Sequence, residues 1–370
     1  MTADAAHRPL RRGWTTGACA TAAARAAFEA LITGAPPPDP VEIALPSGRR
    51  VAFALAQFQR GDDFAQAGVV KDAGDDPDVT HGALVRATVK RGAPGTGVVF
   101  AAGEGVGTIT RPGLPLPPGE PAINPVPRAM MRQTIEEAAH ACGVSPDAQI
   151  EISIPGGEEL AKHTLNGRLG IVGGLSILGT TGIVTPFSCA AWIDSIHRGV
   201  DVARACGLTH IAGATGSTSE AAVRALYDLP EAALIEMGDF VGGLLKYLKT
   251  HPVEKLTIAG GFAKMTKLAQ GRLDLHSGRS SVDFRRLAIS ARMIGANEGV
   301  AALIEGANSA LEALQIAQSA GVDLAGEIGK LACATASHAL INSGVWVEVL
   351  VFDREGGLLA RSPLARTRAP

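Results

Sequence analysis

Net charge, aromatic side chains and paired cysteines are all scarce in this chain, and each shortage excludes something. The formal net charge is −2 over 370 residues, so no global basic field draws it to nucleic acid. Two Tyr and three Trp leave little surface for stacking unpaired bases. The five cysteines, Cys19, Cys142, Cys189, Cys206 and Cys333, contain no CxxC pair. That argues against a zinc ribbon or disulfide framework and fits a reduced cytoplasm. No apolar run reaches the roughly 18 residues of a membrane span. One stretch lacks ionisable groups altogether: GIVGGLSILGTTGIVTP, from Gly170 to Pro186, with five glycines, three threonines and a serine. Without acid, base or thiol, its role is expected to lie in shape.

What is present is a chain 46% hydrophobic and 19% charged, enough for a large core and about two domains. Arg11-Arg12 before the Ala-rich Ala18 to Ala30 imitates a twin-arginine export signal, but Arg25 and Glu29 interrupt it. A helix is the better reading. Thr15 or Thr16 caps it, Gly34 ends it, and Pro36-Pro37-Pro38 blocks continuation. Strands are predicted at 41–45, 50–55, 69–70, 83–89, 97–101 and 149–154, and a helix over 128–142 closed by Gly143. This mixture without strict alternation predicts an α+β domain over 1–187. From Ser188 strands and helices alternate: helices at 188–206, 217–227 and 240–249, strands at 208–212, 233–237 and 256–259. A Rossmann-like parallel α/β domain is therefore expected over 188–345, and a C-terminal strand and tail over 346–370. The fold class is thus α/β and α+β together.

In THIAGATGSTSE an apolar strand runs into Gly213, Thr215 and Gly216, then into a helix whose cap is predicted at Ser217 or Thr218. Glycines there let a ligand approach the backbone, and a helix N-terminus offers unpaired N–H groups. Glu236, about 20 residues past the loop, stands where an acid takes the ribose hydroxyls of a nucleoside. Gly260 and Gly261 come after the next strand. Together these are the candidate cofactor residues, although ordinary tight turns with a surface glutamate account for the same letters.

Between Phe262 and Arg292 stand Lys264, Lys267, Arg272, Arg279, Arg285, Arg286 and Arg292 against Asp274 and Asp283. A local excess of positive charge in an acidic chain points to a small polyanionic partner. Lys264, Lys267, Arg272, His276 and Arg279 are the candidate substrate residues there, with Arg128 at a helix start facing a carboxylate. VVKDAGDDPDVT crowds Asp72, Asp75, Asp76 and Asp78 beside Lys71. The spacing is not that of an EF-hand, so a structured turn is expected and no metal site is assigned.

The segments GWTTGACATAAA, VVKDAGDDPDVTHG, GEGVGTIT, PAINPVPRAMM, TLNGRLGIVGGLSILGTTGIVTPFS and IAGATGSTSE occur in this order. In that order, from about Leu10 to Phe352, the chain resembles the cobalt-precorrin-5B (C1)-methyltransferase family of cobalamin biosynthesis. The resemblance implies S-adenosylmethionine as methyl donor. It also implies a tetrapyrrole acceptor methylated at ring carbon 1 to give cobalt-precorrin-6A. It carries over no catalytic residue. On the physical reading, Gly179, Thr180 and Thr181 orient the reacting ligands, because methyl transfer from a sulfonium releases a neutral thioether and depends on alignment.

Two other readings of the residues stay open. A nicotinamide-dependent oxidoreductase would use the same strand, loop, helix and acid, although the three-glycine fingerprint is missing. A non-catalytic tetrapyrrole carrier would need an axial His or Cys, and no motif singles one out. Whether the substrate carries cobalt is not written in the sequence. A homo-oligomer is compatible with it but not specified by it.

Overall fold

The computed structural model describes residues 9–367. The chain divides into two compact units, one ending at Ser188 and one starting at Cys189, each with a hydrophobic core of its own.

The first unit opens with β1 (Gly13–Trp14) and α1 (Thr16–Thr33). The Thr15 hydroxyl accepts from the Ala18 amide, and Gly34, at φ 72°, closes the helix by donating to Ala30 O. Every residue from Thr16 to Ala24 is buried, because small alanines let neighbouring backbones approach closely. Arg25 and Glu29, the charges that interrupt the apolar run, pair at 2.8 Å. Arg25 also reaches Glu137 of α2 (Pro125–Cys142) at 3.3 Å. α2 begins before the predicted Arg128, since Pro125 and Pro127 fit its first turn, where no N–H is needed.

β2 (Val41–Ala44) and β3 (Arg50–Phe53) form a hairpin. The next sheet has five strands: β4 (Gln57–Arg60), β5 (Phe64–Val70), β6 (Leu84–Arg91), β7 (Val98–Ala102) and, beyond the two-residue β8 (Thr108–Ile109), β9 (Ala148–Ser153). Its order is β4-β5-β6-β9-β7, antiparallel except for the β7–β9 pair. Alternation places Ala65, Ala67 and Val69 with Val85, Ala87 and Val89 on the buried face, in one core with α1. α3 (Gly157–Ala161), β10 (Ile171–Val172) and β11 (Ile183–Val184) complete the unit; β11 pairs with β1 and β10 with β8.

The second unit alternates as predicted: α4 (Cys189–Ala205), β12 (His210–Ala214), α5 (Ser217–Tyr227), β13 (Leu234–Glu236), α6 (Val241–Leu248), β14 (Lys255–Gly261) and α7 (Phe262–Ala269). Four further helices come next: α8 (Phe284–Met293), α9 (Glu298–Glu305), α10 (Ala310–Ser319) and α11 (Leu324–Ala339). β15 (Trp346–Phe352), β16 (Leu358–Arg361) and β17 (Ala365–Arg366) end the chain. The sheet order is β13-β12-β14-β15-β16, with β12 to β15 mutually parallel and β16 and β17 antiparallel to β15. The segment from 346 that the sequence sets apart therefore belongs to this sheet: β15 is an interior strand, paired with β14 from Lys255↔Trp346 to Gly261↔Phe352, and β16 and β17 pair with it from outside. Ile211, Leu256, Ile258, Val347, Val349 and Val351 face one core, shared with α6, α7 and α11, while Ala212, Ala259, Leu350 and Phe352 share another with Val223 of α5. A parallel sheet covered on both faces is apolar on both, so its strands read as continuous runs rather than alternating ones.

Candidate functional site

The chain leaves β12 for β13 on one side and afterwards places β14 on the other. The loops leaving β12 and β14 diverge at that point, and in open α/β sheets this is where ligands bind, beyond the strands' carboxyl ends. The loop after β12 is tied to β14: Thr215 N donates to Ala259 O at 3.0 Å. Glu236 lies opposite Ala214 at the end of β13, half-buried, and its carboxylate has no partner among the described residues.

The four candidate glycines separate into two kinds. A Cβ at Gly213 would lie 2.5 Å from Leu244 Cδ2, and one at Gly260 would lie 2.7 Å from both Met265 Cε and Thr215 Oγ1. Those two are small because the core and the neighbouring loop fill the space, which corrects their assignment to ligand contact. A Cβ at Gly216 meets nothing within 4 Å, and at Gly261 only Phe352 O at 4.0 Å. These two leave open approaches. The cap of α5 is Gly216, not Ser217 or Thr218, and no side chain caps the helix. Its first-turn amides therefore face the loop without a side-chain acceptor. Thr215 is buried, and Ser217 is exposed on the first turn.

Lys264, in the first turn of α7, joins three loops. Its Nζ donates to Thr215 O at 2.7 Å and lies 3.1 Å from Asp239 Oδ1 in the loop after β13. Asp239 Oδ1 is otherwise buried and without a hydrogen bond. The ammonium is thus committed to the loops, which corrects its reading as a substrate residue. Lys267 is corrected likewise: it is buried, and its Nζ donates to Leu275 O at 2.8 Å. Arg128 is engaged on all sides, by Ile123 O at 2.8 Å, Pro121 O at 3.0 Å and Glu120 at 2.9 Å, so it braces the turn before α2 and has no free edge for a ligand.

Arg272, His276 and Arg279 remain on the surface. Arg272 has no side-chain partner among the described residues. His276 Nδ1 accepts from Gly278 N at 3.1 Å. Arg279 pairs with Asp274 at 2.6 Å, donates to Cys189 Sγ at 3.3 Å and lies 5.5 Å over the Phe240 ring. The bonds to Cys189 and Asp274 hold its guanidinium above the usual arginine range.

In the first unit, Gly179 is not an open wall. At φ 128°, its missing Cβ would lie 2.4–2.5 Å from the Thr15 side chain, so its smallness lets the loop close over the start of α1. Gly17 N donates to Leu178 O and Thr15 N to Gly182 O, both at 3.1 Å. Thr180 and Thr181 are exposed; the Thr181 hydroxyl bonds the Ile183 backbone, and the Thr180 hydroxyl has no partner among the described residues. The nearby aspartates act as anchors. Asp72 pairs with Arg11, which brings its carboxyl down to about 2. Asp75 accepts from Arg11 N, Asp76 from Phe187 N, and Asp78 from the buried Lys71 at 2.5 Å. Among the described residues, no group of three or more His, Cys, Asp or Glu is arranged to hold a metal.

Comparison with known proteins turns this geometry into a family. The CbiD family profile matches residues 3–186, and that of the CbiD C-terminal domain residues 274–363. A cobalt-precorrin-5B C(1)-methyltransferase of Methylorubrum extorquens is 63% identical over 95% of this chain and 97% of its own. The chain belongs to the CbiD family. Relatives of the same name from Bradyrhizobium sp. and Agrobacterium fabrum are 61% and 59% identical, covering 99% and 98% of this CbiD chain and 99% and 96% of their own. The crystal structure of a cobalamin biosynthesis protein (cbiD) from Archaeoglobus fulgidus is 30% identical and covers 73% of this chain and 83% of its own, with a TM-score of 0.40.

Three features of this CbiD chain escape sequence reasoning. Asp239 carries no motif and acquires its place only from the loop that Lys264 crosses. Trp192 is an unremarkable helical letter until the fold sets it beside Gly238. A network centred on the buried Thr257 and Glu348 joins His210, Tyr227, Lys255 and Arg361 at the amino end of the sheet. Glu348 takes bonds from Lys255 at 2.8 Å, Thr257 at 2.7 Å and Arg361 at 3.1 Å, and from the Tyr227 hydroxyl. Burial works to raise Glu348, but the bonds from Lys255, Tyr227 and Thr257 bring it to about 2. Burial, then Lys255, lowers His210 to about 4. Two depressions lie apart from Glu236: one of about 490 Å³ by Leu273 and His338, one of about 380 Å³ along α5 from Ser217 to Asp228.

Proposed function

We propose that this protein methylates carbon 1 of cobalt-precorrin-5B to give cobalt-precorrin-6A in cobalamin biosynthesis, with S-adenosylmethionine as methyl donor, in the cytoplasm. The observation that carries this reading is the end-to-end identity, at 59–63%, to relatives that bear that activity in their names. No helix is long and apolar enough to cross a membrane among the described residues, which is compatible with a diffusible substrate.

The second unit, read as Rossmann-like, is the donor-binding part. Three observations fit a nucleoside there: the unpaired Glu236 carboxylate, the open approach at Gly216 and Gly261, and the uncapped first turn of α5. Glu236 would accept from the two ribose hydroxyls, and Gly216 and Gly261 would let the ligand lie against backbone. Lys264 would hold the surrounding loops in register. The donor supplies an activated methyl group: its S–CH3 bond breaks as the new C–CH3 bond forms, and sulfur leaves as a neutral thioether. The chain's own task is alignment, which contributes up to about 7–11 kcal/mol in well-oriented reactions. Arg272, His276 and Arg279 are the candidates that stay exposed to meet the acceptor's acetate and propionate groups, Arg272 without a side-chain partner among the described residues, since Arg–carboxylate pairs are strong and geometrically specific.

The test is incubation of the purified protein with S-adenosylmethionine and precorrin-5B, with and without cobalt, followed by mass spectrometry. A gain of one methyl, located at carbon 1, is expected with the cobalt form. No gain with either form, in protein that is folded, overturns the reading.

A further inference from the structure

Of the three tryptophans, two are covered. Trp14 packs on Phe53 with ring centroids 5.1 Å apart, and the Arg366 guanidinium lies 5.4 Å over Trp346. Trp192, in the first turn of α4, is 43% exposed. One edge of its indole is held. A Cβ at Gly238 would lie 3.4 Å from Cζ2 and 3.5 Å from Nε1, and the Phe240 ring packs against it at 6.4 Å. Gly238, at φ 54°, is a position that a side chain would strain as well as crowd. Its N–H donates to Ala214 O at 3.2 Å, so the loop under the indole is tied to the end of β12. That loop follows Glu236, the last residue of β13, two residues earlier. The exposed aromatic surface of α4 thus packs against the loop that follows the acid at the carboxyl edge of the sheet, and the Arg279 guanidinium lies over the Phe240 ring.

We propose that Trp192 is the stacking platform for the adenine base of the methyl donor. This rests on the reading of Glu236 as the ribose residue. In a nucleoside the base leaves the sugar through one glycosidic bond, so a base whose ribose is held at Glu236 falls within reach of side chains against Gly238. A flat, edge-anchored and outwardly bare indole gives that base a plane to lie on, and stacking buries apolar surface that otherwise faces water. Stacking asks nothing of the base's hydrogen-bonding edge. The platform fixes where the adenosine lies, and through it where the sulfonium points, so Trp192 is a positioning residue rather than a catalytic one.

The test uses the full chain and S-adenosylhomocysteine as probe. By isothermal titration, Trp192→Ala should weaken binding on the order of tenfold or more, while Trp192→Phe keeps most of it. Tryptophan emission of the parent should be quenched on titration, and that quench should vanish in Trp192→Phe although binding persists. Glu236→Gln is measured alongside. If Trp192→Ala binds like the parent while Glu236→Gln is weakened, the platform is wrong and the ribose reading stands. If both bind like the parent, the reading of this sheet edge fails as well. Should Trp192→Ala not fold, as judged by circular dichroism, the emission of Trp192→Phe decides: a retained quench overturns the proposal.

Discussion

At the scale of single residues, chemically alike side chains have unlike work. Lys267 and Arg272 are neighbours in one basic segment, yet Lys267 is buried on Leu275 O and Arg272 is in water. Lys267→Met leaves that carbonyl unpaired and should cost about 1–3 kcal/mol of stability, measured by denaturant unfolding, with no specific loss of acceptor affinity. Arg272→Glu should leave unfolding within about 0.5 kcal/mol of the parent and weaken acceptor binding, with a flatter dependence on salt. An unchanged salt dependence would mean that Arg272 is only a solvated surface charge. Gly179→Ala forces a side chain into the left-handed region and against Thr15. It should lower the melting temperature, corresponding to roughly 1–3 kcal/mol, and a variant that melts like the parent would contradict the packing of Gly179 on Thr15.

At the scale of elements, the candidate site is an agreement among three loops. Strand pairing alone carries the ends of β12, β13 and β14 to one edge, but Lys264 ties the loops that leave them. Charge-assisted bonds of this kind are worth about 1.5–3 kcal/mol at best, and less here because the side chain is partly solvated. Lys264→Met should therefore weaken donor binding several-fold, with Lys264→Arg recovering part of it and acceptor affinity unchanged. A loss of acceptor affinity alone would return Lys264 to the substrate side. The same logic governs α1, whose capped start is covered by the 178–182 loop: a stretch free of ionisable groups holds a helix end and a tight return rather than reacting groups.

At the scale of the molecule, the partly buried network of the second sheet sets a pH response. The folded pKa of His210, about 4, lies below its ordinary 6.5, because burial and Lys255 oppose the charged form. The unfolded chain takes up this proton first as pH falls, so the stabilisation is complete above 6.5 and is lost between 6.5 and about 4. Glu348, lowered from 4.5 to about 2, loses its contribution between those values. Each shift corresponds to at most about 3–4 kcal/mol, at roughly 1.36 kcal/mol per pKa unit, and to less after screening. Unfolding free energy should therefore decline steadily from pH 6.5 to pH 4, and His210→Gln should flatten that decline. An unchanged slope in the variant would show that other groups set it.

The sequence by itself determined most elements, the division near Ser188 between mixed and alternating patterns, and the family. Helix caps, glycine stops and apolar periodicity are local, and each is written within a few residues of where it acts. It also brought Glu236, Gly216 and Gly261 to notice, because a strand, a loop and an acid succeed one another in the chain. Only the tertiary structure decided which residues have spare capacity. Arg128, Lys264 and Lys267 read as free cations until backbone carbonyls from distant loops occupy them. Gly179, Gly213 and Gly260 read as openings until Thr15, Leu244 and Met265 fill the space. The physical reason is that charge and size are properties of a residue, whereas vacancy and partnership are properties of its surroundings, which the chain assembles from positions far apart.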